Sequence, residues 1–368
     1  METFKTIHLP GRTVITENGD KYLWFSGTDY LGMGHDETFR SYLLEGIQHY
    51  GAHFGSSRNN SLKLEIYEET ENHLASLIGS ESALLVSSGM WAGQLVMKMI
   101  ENLAAELSQA NSIKYHYAPK VHPALWGNNF VTSTKKWAVW ASEVVKLIRE
   151  SSSDVAHIIC TDGIGSPLVE AFDFSIFKDL PGGRSNIWLI VDESHTLGVC
   201  GNGSGLYKSI RDIGKANVIM VSSLNKAMGI PGGLIACDNA AYNTFRYSPW
   251  FAGASPPAPA YIYALKKLLE IQHYEHAVAI LAANISYFQD QLKSPNFFQS
   301  APSYPVFCSQ NPELFDTLLA NGIMASCFSY PSPTDPAITR LAISALHQKE
   351  DLSQLAEVCN NHYNSLSA

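Results

Sequence analysis

The chain has 368 residues, 46% hydrophobic and 16% charged, a balance that excludes a disordered segment or a small binding module and exceeds what one core comfortably fills. Its formal charge of -9 has no basic run to offset it, which excludes nucleic acid or an anionic membrane as the principal partner. No stretch approaches the roughly 20 apolar residues of a membrane span, and residues 1–13 lack an apolar core of signal-peptide length, so a cytoplasmic location is expected.

From the N-terminus, residues 1–35 carry strand and turn signals without a helical pattern and are expected to pack with a smaller domain further on. Helical periodicity follows over 62–77 and 92–107. Short apolar runs at 83–86, 156–160, 187–191, 218–221 and 234–236 read as buried strands. Strands alternating with helices predict a large α/β domain over 36–250, with a mostly parallel sheet covered on both faces. Past Ser255-Pro256-Pro257-Ala258-Pro259, a helical pattern at 262–271, shorter elements and an amphipathic stretch at 351–359 predict a small α+β domain over 251–368. The six cysteines are far apart and form no Cys-x-x-Cys pair; they read as free, mostly buried thiols, and no metal site is expected.

The chemistry concentrates where strands end. Val221-Ser222-Ser223-Leu224-Asn225-Lys226-Ala227-Met228-Gly229 runs from an apolar strand into small hydroxyl residues, a lysine and a glycine. A single lysine there means little. Val191-Asp192-Glu193-Ser194-His195, however, ends another strand, at the edge where α/β sheets place their ligands. Pyridoxal 5'-phosphate (PLP) requires a carboxylate against its pyridine nitrogen, and the resulting ion pair offsets the cost of burying the acid. Asp192 suits that place, His195 the side of the ring oxygen, and Lys226 the Schiff base that carries the cofactor. Ser88, Gly89 and Met90, where a strand turns into a helix, offer amides and a hydroxyl for the phosphate, and Ser223 adds a second hydroxyl. A dinucleotide fold is disfavoured because no Gly-x-Gly-x-x-Gly follows the first strand, and a hydrolase because there is no Gly-x-Ser-x-Gly elbow.

In order and spacing these blocks resemble the α-oxoamine synthases, PLP-dependent acyltransferases that join an amino acid to an acyl thioester with loss of carbon dioxide. The resemblance also takes in Asp29-Tyr30-Leu31-Gly32, Gly55-Ser56-Ser57-Arg58, Gly198 and Gly201, Pro231-Gly232-Gly233, and Arg340-Leu341-Ala342-Ile343-Ser344-Ala345-Leu346-His347. It implies the PLP-dependent transferase fold type I, like aspartate aminotransferase. It further implies Lys226 as Schiff-base lysine and acid-base group at Cα, Asp192 as partner of the pyridine nitrogen, and His195 as ligand of the ring oxygen. His122 would stack on the ring, Ser166 would lie beside the phenolic oxygen, and Arg340, with Thr28, would bind the amino acid's carboxylate. An arginine suits that task because its planar fork meets both oxygens.

The partners implied are an amino acid and an acyl-CoA or acyl-carrier-protein thioester, in a homodimer with shared active sites. Overall likeness favours alanine with a pimeloyl thioester, as in biotin synthesis. Other members of the family, an aminotransferase or aldolase on the same fold, and a catalytically impaired PLP-binding protein are the alternatives. Four departures from the family pattern bear on them. Thr28 stands for a usual asparagine, Leu62 for a glycine, Tyr67 for a histidine, and Ala252-Gly253-Ala254 for a hydroxyl-rich stretch that touches the partner's phosphate.

Overall fold

A computed structural model of the protein describes residues 3–108, 110–183, 185–329 and 334–366. Its strands, in chain order, are β1 (Thr13–Ile15), β2 (Lys21–Phe25), β3 (Ser82–Val86), β4 (Ser112–Tyr117), β5 (Val155–Asp162), β6 (Ile187–Asp192), β7 (Asn217–Ser223), β8 (Gly233–Cys237), β9 (Gln299–Ser300), β10 (Val306–Ser309), β11 (Ile323–Ser329) and β12 (Ala337–Ala342). Among the described residues they form two six-stranded sheets, one in each of two compact units.

The larger unit holds Glu37–Ile164 and Phe172–His273. Its helices are α1 (Glu37–Tyr50), α2 (Glu65–Ile78), α3 (Gly89–Ser108), α4 (Trp137–Glu150), α5 (Tyr207–Arg211), α6 (Asn239–Arg246), α7 (Pro249–Ala252) and α8 (Pro259–Glu270). The sheet order is β3-β8-β7-β6-β5-β4, with β4 to β7 parallel and β8 antiparallel to both its neighbours. Every residue of β6 is buried, as expected where helices cover both faces of a Val/Ile-rich strand. The edge strand β4 is mostly half-exposed and carries Lys114 and His116, so its sequence shows no apolar run.

Amphipathic α4 buries Trp137, whose Nε1 donates to Thr161 Oγ1 at 2.9 Å and whose ring stacks on Phe172 with centroids 4.6 Å apart. The composition predicts the second domain from 251, but α8 belongs to the larger unit. It packs so tightly on α1 that a Cβ on Gly46 would lie 2.7 Å from Ala260 O.

The smaller unit gathers the residues up to Asp36, Gly165–Ala171, and the chain from Tyr274 onward. It contains nearly all of α9 (His273–Gln291), together with α10 (Leu314–Ala320) and α11 (Lys349–Leu366). The sheet order is β1-β2-β11-β12-β10-β9; β2 and β11 pair in parallel and the other pairs are antiparallel. His347 holds the two ends of the chain together. Its Nε2 donates to Trp24 O at 2.9 Å, its ring stacks on Phe25 with centroids 4.0 Å apart, and its Nδ1 accepts from Ser344 N at 2.9 Å. Burial lowers its pKa to about 4, so the imidazole is neutral and both bonds are kept at neutral pH. Arg12 adds a fork onto Asp351 of α11, at 2.7 and 2.9 Å.

Candidate functional site

In the larger unit the parallel strands β5, β6 and β7 end side by side, with Asp162 in register with Asp192 and Asp192 with Val221. Two carboxylates and the turn after β7 therefore share the C-terminal edge of the sheet. Asp192 is 6% exposed, and its Oδ1 accepts from Ser194 N at 2.9 Å. Its Oδ2 lies 3.6 Å from His122 Nδ1. That nitrogen already accepts from Ala124 N at 3.2 Å and has no proton to give Asp192. Burial lowers the pKa of His122, with Asp192 opposing the shift and the charge of Lys226 adding to it.

Lys226 is half-buried in the turn that joins β7 to β8. Three backbone bonds staple this turn: Leu224 N to Gly232 O at 3.0 Å, Ile230 N to Leu224 O at 2.9 Å, and Gly229 N to Lys226 O at 3.1 Å. Gly229 has φ of 69°, which a side chain would resist. Asp162 accepts the His122 backbone N–H at 3.1 Å. Its carboxyl is held well above the ordinary range by burial and then by the adjacent Asp192, with Lys226 opposing. His195 is half-buried, three residues past Asp192.

The α3 N-terminus is built for close approach. Ser88 Oγ accepts from Trp91 N at 3.1 Å and caps the helix. A Cβ on Gly89 would lie 2.5 Å from Ser223 Cβ, so only glycine lets α3 start against the end of β7. Ser223 is fixed in turn: its N–H donates to Ser194 Oγ at 2.7 Å, which links it through Ser194 to Asp192. Ser88, Gly89, Met90, His122, Asp192, His195, Ser223 and Lys226 all lie in this unit. Among the described residues no group of three or more His, Cys, Asp or Glu is placed to hold a metal ion.

Arg340, Thr28 and Ser166 lie in the smaller unit. Arg340, in β12 and 8% exposed, donates from Nη2 to Tyr30 Oη at 2.9 Å and from Nη1 to Gly27 O at 3.4 Å. Its strand neighbours are Ser326 on β11 and Cys308 on β10. Cys308 Sγ donates to Pro167 O at 3.3 Å, which brings the Ser166-Pro167 segment to the strand beside Arg340. Thr28 is half-buried next to Asp29, whose carboxylate accepts from Met33 N and Gly34 N, both at 2.9 Å.

The sequence assigns no role to Asp162, Ser194 or Tyr30, although the last two lie inside blocks named above. An acid ending the strand beside that of Asp192 is the available signal for the first; the other two act through contacts distant in sequence, Ser194 with Ser223 and Tyr30 with Arg340. Among the departures, Tyr67 has a structural role of its own. Its hydroxyl donates to Pro257 O at 2.6 Å, and its ring lies 4.7 Å from the guanidinium of Arg58. Arg58 in turn forks onto buried Glu71 at 2.5 and 2.8 Å. Leu62 is 69% exposed, and Ala252 O accepts from Ser57 Oγ at 2.7 Å. The six cysteines are free thiols; four are buried, and Cys200 and Cys327 are partly exposed.

The family model for aminotransferase class I and II matches residues 20–358. A curated 8-amino-7-oxononanoate synthase of Petrotoga mobilis is 28% identical, over 95% of this chain and 90% of its own length. Among solved structures, the serine palmitoyltransferase of Sphingomonas wittichii superposes with a TM-score of 0.78 at 14% identity, over 99% of this chain and 92% of its own. The 8-amino-7-oxononanoate synthase of Francisella tularensis superposes with a TM-score of 0.67 at 21% identity, over 94% and 99%. At such identities the likeness is one of fold, and the fold is the one the sequence implied.

Proposed function

Because the chain belongs to the class I and II aminotransferase family, we propose that it is a PLP-dependent acyltransferase with the activity of an 8-amino-7-oxononanoate synthase. It would condense a small amino acid, alanine favoured, with an acyl-CoA or acyl-carrier-protein thioester. The observation that carries this reading is likeness over 95% of the chain to a relative of that name, and the edge of the larger sheet supports it.

The residues there fit the cofactor. Asp192 is fixed through Oδ1, and its Oδ2 receives no proton from His122 Nδ1, so that oxygen can accept from a protonated pyridine nitrogen. The absence of a Cβ at Gly89 brings the α3 amides and Ser88 next to Ser223, where a phosphate would be held by N–H and O–H donors. Bound there, PLP supplies a sink for the electron pair left at the substrate Cα.

Lys226 Nζ would carry the cofactor covalently, and once displaced by the amino acid would take the Cα proton and later return one. His122 would stack on the ring, and His195 and Ser166 would serve the ring oxygen. Arg340, with Thr28, would hold the amino acid's carboxylate. In the condensation a bond forms between Cα and the acyl carbon while the C–S bond breaks and the thiol leaves. The Cα–carboxylate bond then breaks, releasing carbon dioxide, and Cα is reprotonated to give the α-amino ketone. We place this enzyme in the cytoplasm as a homodimer with shared active sites.

Borohydride reduction followed by peptide mass analysis should find PLP on Lys226 of the wild type and none in Lys226→Ala. Turnover of that variant should fall by several orders of magnitude. A matrix of amino acids against acyl-CoA thioesters should release thiol and carbon dioxide together for at least one pair. Amine transfer to a keto acid without thiol release would replace this reading with transamination, and no reaction with any pair would leave a PLP-binding protein without catalysis.

A further inference from the structure

We infer that Tyr30 is a positioning residue: it fixes the guanidinium fork of Arg340 and thereby sets the affinity for the substrate's carboxylate, an inference that rests on the role proposed above for Arg340. Among the described residues Arg58, Arg246 and Arg340 are the buried arginines, and Arg58 and Arg340 differ in what receives them. Both terminal nitrogens of Arg58 go to the carboxylate of Glu71, which uses up the charge in a structural pair. Arg340 is as deeply buried, yet its hydrogen-bond acceptors among the described residues are neutral, the Tyr30 hydroxyl and the Gly27 carbonyl. A neutral acceptor orients a guanidinium without cancelling its charge. A buried cation so held favours an incoming anion, because little water is present to screen it.

Tyr30 is itself closely held. It is 1% exposed, its carbonyl accepts from Ala345 N at 2.9 Å, and its ring meets Tyr304 edge-on with centroids 6.3 Å apart. On one side Asp29 caps the following turn; on the other Gly32, with φ of 73°, sits where a Cβ would lie 2.5 Å from Leu346 Cγ. The phenol oxygen therefore meets Arg340 at a fixed point, and a fork held in advance loses less freedom when a carboxylate docks. Within the block Asp29-Tyr30-Leu31-Gly32, Asp29 and Gly32 build the turn and Tyr30 is the member that reaches the arginine.

The test uses the PLP-loaded enzyme with L-alanine and with L-alaninamide, which lacks the carboxylate. Tyr30→Phe should raise KM and Kd for L-alanine by about tenfold, as expected for loss of one hydrogen bond to a charged group. The variant should leave kcat, the acyl-thioester KM and the alaninamide Kd within about twofold, the pattern of lost uniform binding. Arg340→Ala should abolish the preference for alanine over its amide, and adding Tyr30→Phe to it should change nothing further. A normal alanine KM in a folded Tyr30→Phe protein, alongside a damaged Arg340→Ala, would overturn the role of Tyr30 alone. If Arg340→Ala also keeps the alanine preference, the assignment of Arg340 fails and the inference with it.

Discussion

Asp192 and Glu193 are consecutive acids in opposite surroundings. Asp192 faces the sheet edge, whereas Glu193 is 0% exposed and points into the loop that follows, where its Oε2 accepts from Thr196 Oγ1 at 2.9 Å and from Leu206 N. Its Oε1 is buried without a hydrogen-bond partner among the described residues. Burial, and to a lesser degree the charge of Asp192, pushes the pKa of Glu193 up from 4.5 to about 7. A raised acid is protonated in the fold while the unfolded chain ionises. Its contribution is therefore fully present below the unfolded pKa and is lost as pH rises through the folded one, a difference on the order of 3 kcal/mol. Between about pH 5 and 7.5 the wild type should lose stability that Glu193→Gln, which carries no proton to lose, retains. Melting temperatures of the two proteins across that range check this, and parallel curves would contradict it.

At the scale of elements, the edge proposed to hold the cofactor depends on three backbones in near contact: the start of α3, the end of β7 and the start of β8. A Cβ on Gly89 would lie 2.6 Å from Ser223 Cα, and one on Gly233 would lie 2.0 Å from Ser88 O. Gly89→Ala should therefore move α3 away from Ser223, costing about 1–3 kcal/mol as other overpacked sites do. We expect its affinity for PLP, measured by equilibrium dialysis, to fall by about tenfold while the secondary structure is kept. This edge was partly legible in the sequence because β3 and β5 to β8 each hold a short apolar run, so the residues ending them, Asp192 and Ser223 above all, could be placed. β4 was not legible, since an edge strand of Lys, His and Tyr looks like a loop, and α1 and α4 also went unread. Asp162 gains meaning from its register with Asp192, and Tyr30 from a contact with Arg340 across 310 positions of sequence, neither of which is a local pattern.

Over the whole molecule, the larger unit leaves Met90 47% and Trp250 42% exposed, and Trp91 meets Trp250 with ring centroids 6.4 Å apart. Exposed apolar side chains at the start of α3 and in α7 suit burial against a second copy, in keeping with the proposed homodimer. Sedimentation should give about twice the chain mass of 40.4 kDa with PLP bound, and Trp250→Glu should shift it toward the monomer. A monomeric holoenzyme would dismiss the dimer and with it the sharing of active sites. The smaller sheet, finally, governs how the chain is made. Leu23 of β2 pairs with Ile323 of β11, 300 residues later. At ribosomal rates of about 5–20 residues per second, that strand waits roughly 15–60 s for its neighbour, while the segments of the larger unit from Glu37 to His273 emerge in between. During that interval the five-residue edge of β2 that β11 will cover is open to other strands, so nascent chains of this protein should depend on holding chaperones until β11 is translated.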